Sequence, residues 1–254
     1  HVWTQLERGR FASEPTLSLV LPVDADRDRK LDASYTSHTT DLDLDHKADC
    51  VIFAGDRRSE DVRTQGLFFT QAGVKEGPEL FGNDGRPSAL LVFAGFVTSP
   101  TFRDLDGDGF PELVLRTVRP DIIDQLRSVT NEAIDADLYV YRNRRGTFAR
   151  QPDLAWRHPI PIERFELAAE FCGDLTGDGL SELLVRDDPE HVRVMYVRAQ
   201  PGKPDGAWTL MEKPLWQLDV DEHASLELFR ASGEREKPEL LVIEARQVLH
   251  VRFP

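Results

Sequence analysis

An acidic nine-residue loop followed at once by an apolar run occurs three times in the sequence, and this repetition limits the possible folds more than any other feature. The clearest copy starts at Asp104 and reads Asp-Leu-Asp-Gly-Asp-Gly-Phe-Pro-Glu before Leu-Val-Leu. A second copy starts at Asp174 and reads Asp-Leu-Thr-Gly-Asp-Gly-Leu-Ser-Glu. A third starts at Asp41 and reads Asp-Leu-Asp-Leu-Asp-His-Lys-Ala-Asp. A loop that recurs before the same kind of apolar run predicts a repeated structural unit.

Each loop spaces its oxygen atoms as a hard cation requires. Ca²⁺ takes six to eight oxygen ligands at roughly 2.3–2.6 Å in tolerant geometry. Side chains at loop positions 1, 3, 5 and 9 supply oxygens, and the backbone carbonyl at position 7 adds another. The sequence therefore predicts Ca²⁺ in the loops at Asp104 and Asp174, with the loop at Asp41 as a third candidate. The predicted ligands are Asp104, Asp106, Asp108, Phe110 and Glu112; Asp174, Thr176, Asp178, Leu180 and Glu182; and Asp41, Asp43, Asp45, Lys47 and Asp49.

Other interpretations of these acidic segments compete with calcium binding. An EF-hand is disfavoured because position 12 of the first loop is Leu115 and no helical pattern flanks the loop. A metal-free acidic turn is disfavoured by two Gly-Asp-Gly copies at the same offset. In the loop at Asp41, His46 takes the tight-turn position of a glycine, and His is among the residues that tolerate φ > 0. The segment 24–32 has the same acid spacing, but its interleaved Arg and Lys residues favour a solvated hairpin over a metal site.

A fourth copy of the unit keeps its strand without the acids. Ala231, Gly233 and Arg235 replace the aspartates, and Glu-Leu-Leu-Val-Ile follows Pro238. The four copies begin at residues 41, 104, 174 and 231, about 60 residues apart. A glycine followed closely by an aromatic residue precedes each loop, as in Arg145-Gly-Thr-Phe148. The chain therefore contains four units of one design.

Within each unit the elements read as short strands. Residues 137–141 predict a strand, 143–146 a turn and 147–149 the start of the next strand. We predict an all-β fold, a β-propeller of about four blades, each a three- or four-stranded antiparallel meander. It would form one domain over 1–254, with units at 9–65, 66–145, 146–205 and 206–254. The N-terminal strand would complete the last blade. Helical spacing predicts a short helix near 121–134, and 73–87 reads as a surface loop.

The acidic loops, with the Gly-aromatic turn before them, resemble the FG-GAP/VCBS repeat family, the calcium-binding β-propeller repeats of the integrin-α type. The resemblance covers nearly the whole chain. It implies a propeller with Ca²⁺ in the hairpin loop that joins the first two strands of a blade, in an extracellular or periplasmic recognition, adhesion or scaffold module. The sequence departs from the family in three respects: it has four units rather than about seven, Glu at loop position 9 in two copies, and Thr176 at position 3.

Charge and composition exclude several classes of partner. A formal net charge of −14 argues against binding to nucleic acid or to an anionic membrane. No apolar run approaches the roughly 18 residues of a membrane span. Cys50 and Cys172 form no disulfide scaffold, and two buried thiols compete with a single bond between them. We expect an extracellular or periplasmic protein whose leader has been removed.

Catalytic motifs are missing from the sequence. There is no H-E-x-x-H spacing, G-x-S-x-G elbow or phosphate-binding glycine loop. The sequence thus favours a binding or scaffold module for a protein or glycan ligand, not an enzyme. A polysaccharide-active enzyme or accessory carbohydrate-binding domain is the alternative. A partner chain would be needed if four units leave the propeller incomplete. The four tryptophans could pack between blades or line a sugar-binding face: Trp3, Trp156, Trp208 and Trp216.

Overall fold

The computed structural model describes residues 5–7, 10–11, 13, 33–56, 63–70, 86–118, 133–161, 169–200, 207–229 and 237–253. All regular structure in these ranges is β-strand, so the all-β prediction is confirmed there. No helix among the described residues is long and apolar enough to cross a membrane. The chain forms two compact units, His1–Val97 with Asn143–Arg150 and Thr98–Arg142 with Gln151–Pro254.

The first unit contains a short hairpin and a four-stranded antiparallel meander. The hairpin is β1 (Gln5–Glu7) with β2 (Arg10–Phe11), and the meander is β3 (Ala33–Thr40), β4 (Asp49–Asp56), β5 (Arg63–Phe69) and β6 (Ala89–Ala94). The apolar side chains of β4 and β5 form its core, with Val51, Leu67 and Phe68 completely buried. The segment 143–150 belongs to this unit, and its Phe148 ring packs 5.0 Å from the ring of Phe68.

The second unit contains three further antiparallel sheets and a hairpin. One sheet has the order β7 (Phe96–Arg103), β8 (Glu112–Val118), β9 (Ala133–Tyr141) and β10 (Leu154–Pro161), with β7 beginning just before the unit boundary. The next joins β11 (Ala169–Phe171), β12 (Leu183–Arg186), β13 (His191–Met195) and β16 (Trp216–Asp219). The hairpin β14 (Val197–Ala199) with β15 (Trp208–Leu210) lies between β13 and β16 in sequence. The last sheet is β17 (Ser225–Phe229), β18 (Glu239–Ile243) and β19 (Val248–Val251).

The core of the second unit is built from the apolar runs that follow the loops. Leu183 and Val185 of β12 are completely buried and share one cluster with Val140 of β9 and Phe171 of β11. A second cluster centres on Leu240 and Val242 of β18. Alternate residues of a strand face the same side. The run after each loop therefore places every second side chain in the core.

The predicted antiparallel meanders of three or four strands are present, but a closed propeller is not detected among them. Over the described parts of the chain, the strands form three four-stranded sheets, one three-stranded sheet and two hairpins. The sheets also divide the chain differently from the predicted units, because the boundary at 65/66 falls inside β5. The Gly-aromatic turns used to set the units therefore do not mark the sheet edges. One domain over 1–254 stays a prediction.

Several sequence predictions concern residues outside the described ranges. The hairpin at 24–32, Trp3 and the fourth loop at 230–236 lie there entirely. Most of the predicted helix near 121–134 lies there too, while residues 133 and 134 belong to β9. Among the described strand pairs, the N-terminal strand does not join the last sheet. β1 pairs with β2, because strands so close in sequence pair at little cost in loop closure.

The cysteine and tryptophan alternatives are resolved within the described residues. Cys50 and Cys172 are free thiols, so the disulfide alternative is wrong. Trp208 is buried in the core, Trp156 packs against the same cluster, and Trp216 packs against the cluster around Leu240. These three rings therefore pack in or against the cores of the sheets.

Candidate metal centre

The three acidic loops occupy the same place in three sheets. The first joins β3 to β4, the second joins β7 to β8, and the third joins β11 to β12. Each is thus the connection between the first two strands of its sheet. In each loop the residue at position 2 is a buried leucine, which fixes the loop to the core: Leu42, Leu105 and Leu175. Loop positions are counted from 1, at the first Asp, to 9, at the last acid.

The carboxylate at position 1 organises each loop. Asp104 accepts hydrogen bonds from the amides of Gly107 at 2.8 Å and Gly109 at 3.0 Å. Asp174 accepts the equivalent bonds from Gly177 at 2.5 Å and Gly179 at 2.9 Å. Turns of this kind, in which an Asp side chain bonds to amides further along its own loop, stabilise tight local curvature.

The loop without glycine repeats this pattern at position 6. Asp41 Oδ2 accepts a bond from the amide of His46 at 2.8 Å, and Asp41 Oδ1 accepts one from the amide of Asp45 at 3.2 Å. The position-5 carboxylate also behaves alike in all three loops. It accepts a bond of 2.9 Å from the amide at position 7, from Lys47, Phe110 or Leu180.

The carboxylate at position 9 is buried and closes each loop. The amide at position 2 donates to it in every copy, from Leu42 to Asp49 at 2.8 Å, from Leu105 to Glu112 at 2.7 Å, and from Leu175 to Glu182 at 2.6 Å. The three acids have no solvent exposure. A buried acid needs such a partner, because an unsatisfied polar group in the core is costly. Position 9 therefore has a structural role as well as its predicted role as a ligand.

Each loop gathers three carboxylates around one point. In the first two loops these are the acids at positions 1, 3 and 5, and in the third they are Asp174, Asp178 and Glu182. Within each group one oxygen of every residue lies within 4.8 Å of the others. Like unit charges about 4 Å apart repel by about 1 kcal/mol in water and about 4 kcal/mol near a protein surface. A divalent cation at this point would offset that repulsion, and the all-oxygen donor set suits Ca²⁺ or Mg²⁺.

Burial and, to a lesser degree, neighbouring carboxylates raise the pKa of two acids in the loops. Burial, with the charges of Asp106 and Asp104, raises the pKa of Asp108. Burial, with the charges of Asp174 and Asp178, raises the pKa of Glu182 to about 7, against the hydrogen bonds from Leu175 and Thr176. The negative form of Glu182 is therefore disfavoured when no cation balances it.

A basic side chain contacts each of the three loops, and a tyrosine hydroxyl also contacts the loop at Asp174. The Lys47 ammonium lies 3.0 Å from Asp45 Oδ2, and it lowers the pKa of Asp45. The Arg142 guanidinium lies 2.6 Å from Asp106 Oδ2. Lys237 donates to the carbonyl of Thr176 at 2.7 Å, and the Tyr196 hydroxyl donates to Asp178 at 2.5 Å. The sequence prediction used only the Lys47 carbonyl and included none of the other three residues.

The backbone of the glycine-free loop adopts the conformation of the other two. Leu44 has φ of 61° and His46 has φ of 66°, matching Gly107 and Gly109 at 73° and 90°. The positive φ expected at His46 is confirmed, whereas the one at Leu44 was not predicted. A residue with a Cβ in this conformation costs roughly 1–2 kcal/mol. The loop at Asp41 therefore keeps its form against backbone strain.

We expect Leu44→Gly to be more stable than Leu44→Ala by about 1 kcal/mol in the free energy of unfolding. Both substitutions remove the same exposed side chain, which is 42% accessible, and they differ only in the Cβ that clashes at φ of 61°. Urea denaturation of the two variants measures the difference. Equal stability would show that position 44 is not left-handed in solution.

An arginine recurs at the same position in the strand after two of the loops, and the sequence prediction missed it. Arg116 and Arg186 both stand three residues after the leucine that follows position 9. Arg116 donates to the carbonyl of Ala169, the first residue of β11. Arg186 donates to the carbonyl of Ala224, directly before β17, at 2.8 Å. Each arginine thus links its sheet to the start of the next one. The only sequence signal is the shared offset.

No protein-family model matches the chain, and no curated protein sequence matches it.

Proposed function

We propose that the three acidic loops bind Ca²⁺ and that the chain is a non-catalytic recognition module of an extracellular or periplasmic protein. The observation that carries the proposal is the repeated loop frame, in which the same hydrogen bonds gather three carboxylates at the head of three different sheets. A solvated acidic turn has no reason to recur in this form. The resemblance to FG-GAP/VCBS repeats supports the same conclusion, and it extends the proposal to a propeller with the four meander sheets as blades.

The residues of each loop have different roles in binding an ion. The position-1 carboxylate fixes the curvature through its bonds to backbone amides, and its remaining lone pairs would be available to the cation. The position-9 acid anchors the loop to the core through the amide at position 2. A bound calcium ion supplies the positive charge that lets the clustered carboxylates stay ionised together. The hairpin that starts each sheet is then held in one conformation, and the surface built on it becomes rigid.

The affinity typical of such calcium sites supports the proposed extracellular or periplasmic location. Extracellular modules bind Ca²⁺ with Kd of about 10⁻⁴ to 10⁻³ M. With Kd of ~10⁻⁴ M and free calcium near 10⁻³ M, each site would be about nine-tenths filled and would contribute about 1.4 kcal/mol. At cytosolic calcium the same site would be empty.

Isothermal titration with Ca²⁺ tests the proposal, and we expect three ions per chain. The double substitution Asp104→Asn with Asp106→Asn should remove one ion and leave the others. Asp219→Asn is the matched control, because its side chain is 90% exposed and lies outside the loops. Fewer than two ions, or equal loss in the control, would refute the metal assignment. Turnover of any polysaccharide by the purified protein would refute the non-catalytic role.

A further inference from the structure

We propose that a cavity walled by β7, β8 and β11 binds a small hydroxylated carboxylate, such as a hexuronic acid, with Arg103 as the charged partner of the carboxylate. The cavity has a volume of about 170 Å³. This is less than the roughly 300–1,000 Å³ of sites for drug-sized ligands, so it suits one sugar ring or the terminal residue of a longer chain. The inference rests on the recognition role proposed above and names its ligand class.

The walls of the cavity match the chemistry of a sugar acid. Ser99, Thr101 and Arg103 alternate along β7 and all line the cavity. The hydroxyls of Ser99 and Thr101 can both donate and accept hydrogen bonds, as ligand hydroxyls require. Val114 and Phe171 add apolar surface against which the C–H face of a ring can pack. The site is distinct from the three acidic loops.

The charge at the cavity is opposite to that of the protein. The chain carries a net charge of −14, yet the described residues that line the cavity bring two guanidinium groups, from Arg103 and Arg116, and one carboxylate, from Glu170. Guanidinium groups form paired, charge-assisted hydrogen bonds with carboxylates. The lining therefore favours an anionic ligand over a neutral one.

Arg103 has two partners: one fixes its orientation, and a ligand can replace the other. Its Nη1 donates to the carbonyl of Phe171 at 3.1 Å, which fixes the direction of the guanidinium. Its Nη2 pairs with Glu170 at 2.6 Å, and the two side chains are 46% and 56% exposed. An ion pair this exposed contributes little to stability. A ligand carboxylate can therefore replace Glu170 at small cost, while the bond to Phe171 keeps Arg103 in place.

The strand at the cavity is also strained. Ser99 has φ of 47°, in the left-handed region that residues with a Cβ avoid, and it directly precedes Pro100. A following proline restricts Ser99 further toward extended conformations. Strain of this kind persists only where the surroundings enforce it, and it concentrates at ligand-binding sites.

Titration of the calcium-loaded protein with glucuronate and with glucose tests the inference. We expect glucuronate to bind at least tenfold more tightly than glucose, because only glucuronate offers the carboxylate. Arg103→Met should weaken glucuronate binding at least tenfold, and Glu170→Gln should strengthen it several-fold by removing the competing carboxylate. Arg157→Met is the matched control and should change nothing. It also removes an exposed, carboxylate-paired arginine, which bonds to Asp137 at 2.8 Å away from the cavity.

Three results would overturn the inference: equal binding of glucuronate and glucose, an Arg103→Met affinity equal to that of Arg157→Met, or no gain in Glu170→Gln. Glu170→Gln leaves Arg103 intact, so its result does not depend on whether the Arg103→Met variant folds. A trigalacturonate probe that binds more tightly than the monomer identifies a glycan chain as the source, and equal affinity identifies a free acid. Calcium stabilisation without glucuronate binding refutes this inference alone. Glucuronate binding without a calcium response refutes the calcium role alone.

Discussion

Chelation with EGTA will lower the thermal midpoint of the calcium-loaded protein by roughly 8–16 °C. Three sites at about 1.4 kcal/mol each contribute roughly 4 kcal/mol, and 1 kcal/mol moves the midpoint of a chain this size by about 2–4 °C. The physical cause is the repulsion among clustered carboxylates, which returns when the ion leaves. Differential scanning fluorimetry in millimolar calcium and in EGTA measures the shift.

In the same experiment, Glu182→Gln should destabilise the protein in calcium but not in EGTA. In calcium the variant loses a charged ligand and about 1.4 kcal/mol at that loop. In EGTA it should be as stable as the native protein or more so, because a neutral amide no longer places a buried charge beside Asp174 and Asp178. The amide oxygen can still accept the bond from Leu175. Asp219→Asn should behave as the native protein in both conditions. Equal destabilisation of Glu182→Gln with and without calcium would mean that position 9 is structural only.

Arg186→Met will destabilise the protein by about 3 kcal/mol. The Arg186 side chain is 5% exposed, and its guanidinium donates to the carbonyls of Pro189, Asp221, Glu222 and Ala224. Methionine preserves much of the aliphatic volume but donates nothing. Each buried carbonyl left without a donor costs roughly 1–3 kcal/mol, reduced where water can enter. Chemical denaturation followed by tryptophan fluorescence measures the loss.

Arg252→Met is the control for this substitution. The Arg252 side chain is 73% exposed and pairs with Glu239 at 2.8 Å, so its loss should cost well under about 1 kcal/mol. Arg186→Lys should fall between the two, because one ammonium cannot reach every carbonyl that the guanidinium fork reaches. If Arg186→Met and Arg252→Met are equally stable, the buried arginine does not link the sheet that contains β12 to the sheet that contains β17.

The repeated loops and strands could be predicted because their causes are local. The bonds that shape a loop join residues at most seven positions apart, as from Leu105 to Glu112, and they need only Asp, Gly and the acid at position 9. The apolar run after each loop then determines a buried strand through its alternation. His46 shows how far this reasoning extends, since even its positive φ could be expected from the copies at Gly109 and Gly179.

Contacts between sheets could not be predicted, because they join residues far apart in sequence. Arg116 reaches a carbonyl 53 residues away and Arg186 one 38 residues away, while Lys237 reaches the third loop across 61 residues. Nothing in the local sequence indicates which strand start will lie beside which guanidinium. The cavity at Arg103 has the same origin, because its walls come from strands of two sheets.

Local sequence is therefore enough to specify the repeated element, an acidic loop that connects one strand to the next. Hydrogen bonds within nine residues and the period of a strand suffice to specify it. Which sheets of the second unit lie against each other depends on contacts between residues far apart in sequence. The tertiary structure placed an arginine from one sheet against the start of the next sheet in two places, and it left a cationic cavity at one of these junctions. Side chains distant in sequence become neighbours only when the hydrophobic faces of whole sheets are buried together.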